Sequence, residues 1–140
     1  MVTIYPACFY KEKKGYSVIF PDLNYLATDG KTLEDAMNNA MDCLAGYIYM
    51  ESLESNKVPK PSDISKIDPK KVARELDPDD KCDDYFVNYV SVDVESYAKL
   101  YFEKSVKKTL TIPAWLNDLG VKNNVNFSKV LQDALIKMLL

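Results

Sequence analysis

The chain has 140 residues, 47% of them hydrophobic and 28% charged, with a net charge of −3. This length and composition indicate one ordinary globular domain or two very small ones, and not a disordered chain. The sequence has no histidine, and its four glycines are isolated. Histidine-dependent acid–base catalysis, imidazole metal sites and a glycine-rich phosphate loop are therefore excluded.

No apolar run is long enough to span a membrane, and the N-terminus lacks the pattern of a signal peptide. The three cysteines, Cys8, Cys43 and Cys82, are widely spaced and odd in number, which is typical of free thiols in a reducing compartment. We therefore expect a cytoplasmic protein with no membrane partner, no metal and no cofactor.

The first third of the chain predicts three strands and a long helix. Residues 2–10 and 16–20 form a hairpin around a polar turn, and residues 23–28 are a shorter third strand closed by an Asp-Gly turn. Thr32 is the expected N-cap of the helix, with Asp35 as an imperfect capping-box partner. The apolar stripe of this helix comprises Leu33, Ala36, Met37, Ala40, Leu44, Tyr47 and Ile48.

Residues 51–84 are polar and proline-bearing, and they end in the acidic run DPDDKCDD. We expect a long exposed excursion here, with a short helix at residues 69–76. Residues 85–94 return to strand character, and residues 95–104 are a brief helix. Residues 1–104 therefore predict an α+β domain of βββαβ order, in which one helix covers one face of the sheet.

The last segment, residues 105–140, begins with an alternating pattern. Val106, Leu110 and Ile112 fall on one face of a predicted strand, while Lys107, Thr109 and Thr111 fall on the other. Lys108 is the one polar residue on the apolar face.

Two helices follow this strand. Pro113 starts a short helix, Gly120 is expected at its C-terminal cap, and Asn126 is the expected N-cap of the second helix. The apolar residues of the second helix recur at helical spacing and are Phe127, Val130, Leu131, Ala134, Leu135 and Met138.

A lone strand cannot satisfy its own backbone, and one strand with two short helices is too small to bury a core. A second copy is therefore required, and antiparallel pairing would align Lys107, Thr109 and Thr111 of both chains on one face that fits a DNA major groove. Residues 106–140 carry five lysines and two aspartates (+3), whereas residues 1–105 carry 13 basic and 19 acidic groups (−6). An ordinary edge strand with solvated lysine and threonine side chains remains the alternative.

The order of strand, proline, short helix and capped helix in residues 107–139 resembles the ribbon-helix-helix family of DNA-binding proteins. The segment GYSVIFPDLNYLATDGKTLEDAMNNAMDCL, residues 15–44, resembles the N-terminal domain of HicB antitoxins, with its Gly-aromatic strand, Pro-Asp turn and Thr-x-x-[ED]-A helix start. The segment VPKPSDI resembles the proline-bearing loop of the same family. Together the two resemblances cover nearly the whole chain.

The resemblance implies a truncated ribonuclease-H-like domain at residues 1–104 and a ribbon-helix-helix domain at residues 105–140. It implies that the first domain binds and masks a small RNA-cleaving HicA toxin, and that the second represses the shared operon as a homodimer on double-stranded operator DNA. Association into tetramers is left open. A protein of this kind is a stoichiometric ribonuclease inhibitor and has no catalytic residues.

The expected contacts can be assigned in the second domain only, because no residue pattern points to the toxin-binding surface. Lys107, Thr109 and Thr111 would contact bases, and Phe127, Ser128 and Lys129 would hold a phosphate at a helix N-terminus. The dimer core would comprise Leu110, Ile112, Trp115, Leu119, Leu131 and Leu135.

Two other functions are compatible with the sequence. One is a stand-alone ribbon-helix-helix regulator whose N-terminal domain senses a small molecule. The other is a metal-dependent nuclease, which would need several carboxylates to converge on divalent ions. The candidates for such a site are Asp22, Asp29, Glu34, Asp35 and Asp42.

Overall fold

The computed structural model describes residues 1–139 and is an α+β structure, as predicted. It divides into two compact units, one spanning Met1–Lys104 and the other starting at Ser105. The strands are β1 (Thr3–Glu12), β2 (Gly15–Phe20), β3 (Leu26–Gly30) and β4 (Tyr85–Val92). The helices are α1 (Leu33–Leu53), α2 (Pro69–Leu76), α3 (Val94–Tyr101), α4 (Ala114–Lys122) and α5 (Phe127–Leu139).

The four strands form one antiparallel sheet in the order β3-β2-β1-β4. The hairpin between β1 and β2 closes at the pair Glu12 and Gly15. Gly15 has φ +139°, and a Cβ atom there would lie 2.2 Å from the carbonyl oxygen of Gly30. Only glycine fits this turn, because the backbone of β3 passes directly beside it.

Helix α1 covers the first face of the sheet, as the sequence predicted. The Thr32 hydroxyl accepts a hydrogen bond from the Asp35 N–H at 3.1 Å, which confirms Thr32 as the N-cap. The fully buried core on this face includes residues from β1 and β2, the turn after β2 and the helix: Ala7, Phe9, Val18, Phe20, Leu23, Ala36, Ala40 and Leu44.

The second face of the sheet is also covered in part, and this corrects the expectation of a fully exposed excursion at residues 51–84. Val72 and Ala73 on α2 are only 8% and 7% exposed and pack on Cys8 and Tyr10 of β1. Because these two apolar side chains leave water when α2 packs on the sheet, the hydrophobic effect favours the docked helix. The expected arrangement of one helix on one face was therefore incomplete.

Two anchors hold α2 in place. The Tyr10 hydroxyl donates to the carbonyl oxygen of Pro69 at 2.7 Å, and the Tyr25 hydroxyl donates to the Glu75 carboxylate. Burial raises the pKa of Tyr10 well above its usual range, so this hydroxyl keeps its proton and remains a donor. The start of α2 is capped by Asp68, which accepts from the N–H groups of two lysines.

The second unit consists of α4 and α5, preceded by the segment of residues 104–113. Within residues 1–139, the stretch 104–113 belongs to no helix or strand, so the predicted strand has no partner in a single chain. Asn126 caps α5 as predicted, because its Oδ1 accepts from the Lys129 N–H at 3.0 Å.

The prediction that Gly120 caps the first of these helices was wrong. Helix α4 continues through Gly120 to Lys122, and the left-handed residue is Asn124, with φ +53°. A Cβ atom on Gly120 would lie 2.5 Å from the Phe127 ring, so this glycine provides space for the ring of the next helix.

Candidate functional site

The proline-bearing loop of the N-terminal unit is fixed to the sheet at two points. The Ser62 N–H and hydroxyl donate to the two carboxylate oxygens of Asp22 at 2.8 and 2.5 Å. The Tyr5 hydroxyl donates to the carbonyl oxygen of Pro59. Because both carboxylate oxygens of Asp22 accept hydrogen bonds from one residue of the loop, this side chain has a structural role in positioning the loop.

The loop continues into a helical turn capped by an acidic residue. Asp63 accepts hydrogen bonds from the N–H and hydroxyl of Ser65 at 2.9 and 2.8 Å. These bonds lower the pKa of Asp63, so its carboxylate stays charged at the surface. The loop and this charge form one wall of a shallow depression, whose lining residues are Ile4, Pro61, Ser62, Asp63, Tyr89 and Ser91.

Two of the five carboxylates considered for a metal site accept hydrogen bonds from other side chains. Asp22 is bonded to Ser62, and Asp42 accepts a hydrogen bond from the Tyr97 hydroxyl at 2.9 Å. Burial, together with this bond, raises the pKa of Tyr97 to about 12. Across residues 1–139 no three acidic or cysteine side chains are grouped as metal ligands.

In the C-terminal unit the predicted base-contacting row is exposed. Lys107, Thr109 and Thr111 lie in the segment of residues 104–113 before α4, and all three are open to solvent. Their base contacts remain a prediction.

The predicted dimer core is also largely uncovered in the single chain. Trp115 is 67% exposed, Leu110 55% and Leu119 51%, and only Leu131 of the predicted set is half-buried. Ile112 and Leu135 are 41% and 43% exposed. An apolar depression lies between α4 and α5 and is lined by residues that include Ile112, Leu119 and Val130. Apolar surface of this extent on so small a unit indicates an interaction site.

The predicted phosphate site lies at the first residues of α5. Phe127 and Ser128 begin this helix, where backbone N–H groups favour an anion. Lys129 is partly engaged, since its N–H is bonded to Asn126 and its Nζ lies 3.3 Å from an Asp133 carboxylate oxygen. The exposed pair with Asp133 contributes little stability and can open to meet a phosphate.

Sequence reasoning missed two residues that position the loop, Tyr5 and Ser62. Their partners lie 54 and 40 positions away in the chain, and no local pattern signals such pairs. The proline-bearing segment itself was recognised through its resemblance to the HicB loop.

This architecture is similar to that of known bacterial proteins. A family model described as a HicB-like antitoxin of bacterial toxin–antitoxin systems matches residues 4–70. A chain from a toxin–antitoxin complex of Streptococcus pneumoniae is 32% identical, with 99% of each chain covered and a TM-score of 0.67. The antitoxin HicB of Burkholderia pseudomallei is 19% identical, with 98% of this chain and 96% of that chain covered and a TM-score of 0.55. No curated protein matches significantly.

The fold and these matches define a protein of the bacterial antitoxin class. The chain belongs to the HicB-like antitoxin family, which confirms the resemblance found in residues 15–44. The Burkholderia protein supports the fold over nearly the whole chain. No helix within residues 1–139 has the length and apolar character needed to cross a membrane.

Proposed function

We propose that this protein is the antitoxin of a toxin–antitoxin pair, which binds and masks a small HicA-like RNA-cleaving toxin and represses its own operon. In this proposal residues 1–104 form a truncated ribonuclease-H-like domain that binds the toxin, and residues 105–140 form a ribbon-helix-helix domain. The protein acts by stoichiometric binding in the cytoplasm and not as a catalyst.

The observation that carries the proposal is the similarity of the whole chain to one chain of a toxin–antitoxin complex, at 32% identity over 99% of both. The charge of the N-terminal unit agrees with it. Residues 1–105 carry a net charge of −6, which suits a basic RNA-binding partner and speeds its capture.

The DNA-binding half of the proposal is supported by the C-terminal unit. The segment of residues 104–113 has no strand partner within the described residues 1–139, and the apolar residues of this unit are largely exposed. Pairing with a second copy would satisfy the backbone of both segments and cover this apolar surface. The same pairing would place Lys107, Thr109 and Thr111 of both chains on one outer face.

The test first asks whether a small basic protein is encoded beside this gene, and then co-expresses the two for co-purification and an electrophoretic shift on the shared promoter. We expect a stable complex and a specific shift. A chain that shifts the promoter but binds no neighbouring protein would favour the stand-alone regulator with a ligand-sensing domain. A chain that does neither would contradict both functions.

A further inference from the structure

Strand β4 forms one edge of the sheet and is open on its outer side. It is eight residues long and contains no charged residue and no proline. Within the described residues 1–139, β1 is the strand that pairs with it, and none pairs with its outer edge. A long uncharged edge of this kind is a template for another strand, which proteins usually protect.

The hydrogen-bond pattern identifies the backbone groups that face outward. The Lys11 N–H donates to the Asp84 carbonyl at 2.8 Å. In this antiparallel register the backbone N–H and C=O groups of Asp84, and of every second residue after it, therefore point toward β1. Tyr89 has the opposite orientation, because its N–H donates to Asn88 Oδ1 at 3.0 Å and its partner on β1, Pro6, has no N–H. The outward backbone groups therefore belong to Tyr85, Val87, Tyr89 and Ser91, and of these the Tyr89 N–H is already bonded to the Asn88 side chain.

The other edge of the sheet is protected. Strand β3 has five residues and includes Asp29. Its outer carbonyl groups at Asp29 and Ala27 accept hydrogen bonds from Asn39 at 2.8 Å and from Cys43 at 3.9 Å, both on α1. The sheet thus has one edge covered by helix side chains and one edge available for pairing.

The surface beside the open edge is apolar and preformed. Ile4 and Tyr89 are each 45% exposed on the half of the second sheet face that α2 leaves uncovered. The loop held by Asp22 and Ser62 forms its wall. A strand added to β4 would therefore find a pocket for one apolar side chain next to the Asp63 carboxylate.

Charge at the two ends of β4 selects the partner. Asp83 and Asp84 precede the strand, and Asp93 and Glu95 follow it. Asp83 is paired with Lys70 and Asp93 with the N-terminal ammonium, each at 3.6 Å, and exposed pairs of this kind are weak. Antiparallel pairing of β4 with β4 of a second copy would bring the acidic start of one strand beside the acidic end of the other, and such pairs repel. A strand with basic flanks is attracted at both ends instead.

We propose that the toxin adds an extended segment with basic flanks to the outer edge of β4 and inserts an apolar side chain between Ile4 and Pro61. This inference rests on the proposed antitoxin function and names the surface that performs it. The acidic flanks serve a second purpose, since they keep two antitoxin sheets from joining edge to edge.

The test compares Ser91→Pro with Ser91→Ala in the full chain, each titrated with the toxin encoded beside this gene. Proline removes one outward N–H, and edge strands accept it at such positions, whereas alanine keeps the N–H and removes only the hydroxyl. We expect Ser91→Pro to weaken toxin binding about tenfold relative to Ser91→Ala, through the loss of an interface hydrogen bond. Equal affinities of the two folded variants would overturn the inference.

A second pair of variants decides the matter if the proline variant does not fold. Asp84→Lys with Glu95→Lys reverses charge at both ends of the edge, and Glu54→Lys with Glu103→Lys makes the same change at exposed positions elsewhere. We expect the first pair to slow toxin association several-fold more than the second. Equal association rates of the two charge-reversed variants would overturn the inference. It would also be overturned if Ser91→Pro lost self-association but kept its affinity for the toxin. Failure of the unmodified chain to bind the toxin would instead overturn the proposed function itself.

Discussion

Asp22 and Ser62 lie 40 positions apart in the chain and are joined by two hydrogen bonds, at 2.8 and 2.5 Å. Each carboxylate oxygen accepts one bond, from the Ser62 N–H and from the Ser62 hydroxyl. The pair ties the loop after α1 to the turn after β2. It accounts for the aspartate in the Pro-Asp turn, whose role the sequence left open.

Removing this pair should loosen the loop. We expect Asp22→Ala and Ser62→Ala each to lower the free energy of unfolding by about 1–2 kcal/mol, because Asp22 is a charged acceptor in a partly buried site. The double variant should lose less than the sum, with a coupling of about 1 kcal/mol. Chemical denaturation measures these values, and additive losses would contradict the coupling. Asp29→Asn, at an exposed position on β3, is the control and should stay within about 0.5 kcal/mol of the unmodified chain.

Two glycines within helices should respond oppositely to alanine. A Cβ atom on Gly46 would meet only the Phe102 ring, at an ordinary 3.9 Å, so Gly46→Ala should stabilise by about 0.5–1 kcal/mol through helix propensity. A Cβ atom on Gly120 would lie 2.5 Å from the Phe127 ring. Gly120→Ala must displace the ring and should destabilise by about 1–2 kcal/mol.

Thermal unfolding followed by circular dichroism and by tryptophan emission separates the two effects, because the single tryptophan, Trp115, lies in the C-terminal unit. A Gly120→Ala variant with an unchanged tryptophan transition would show that the Phe127 ring moves at no cost. Adding Phe127→Leu should rescue Gly120→Ala if the contact is the cause.

Trp115 also reports on pairing of the C-terminal unit. It is 67% exposed in one chain, so dimerisation through the predicted core should bury it and shift its emission to shorter wavelength as concentration rises. Leu135→Glu should abolish this shift, because a charge would enter the buried interface. Val121→Glu, at a 60% exposed position outside the predicted core, is the control. Emission independent of concentration, with a monomer in sedimentation, would contradict pairing.

Operator binding should depend on the exposed residues Lys107, Thr109 and Thr111 before α4. Lys107→Ala should weaken specific binding by about 1–3 kcal/mol if Lys107 contacts a base. Lys137→Ala, in the last turn of α5, removes the same charge away from the row and should change specific affinity much less. Titration of labelled operator DNA at fixed salt measures both. Equal effects of the two substitutions would show that Lys107 acts only through its charge.

Much of the N-terminal fold could be predicted from local patterns. The hairpin follows from alternation around the polar turn, and the long helix follows from its apolar stripe and the Thr32 cap. The docking of α2 could not be predicted, because Val72 and Ala73 are two buried residues among charged neighbours and give no periodic signal. Gly120 was predicted as a helix cap because a glycine near a helix end usually has that role. Here glycine is needed because the Phe127 ring of the next helix packs against this position.

The C-terminal unit illustrates a different limit. Its periodicity predicts α4 and α5 correctly, and it also predicts a strand where a single chain has neither helix nor strand. A strand is defined by its partner, and local pattern alone supplies none. The sequence also could not predict that β4 is an edge strand with acidic residues at both ends, because this depends on the order of strands in the sheet.

The sparse burial of the C-terminal unit has a consequence for gene control. Among the described residues from 105 onward, only Gly120 and Leu131 are less than exposed, so one copy has almost no interior of its own. If the unit pairs as proposed, its order follows mass action, and the amount of paired unit rises with the square of antitoxin concentration while copies are scarce. A paired unit that represses its own promoter would then dissociate when synthesis falls behind dilution by growth, and transcription would resume.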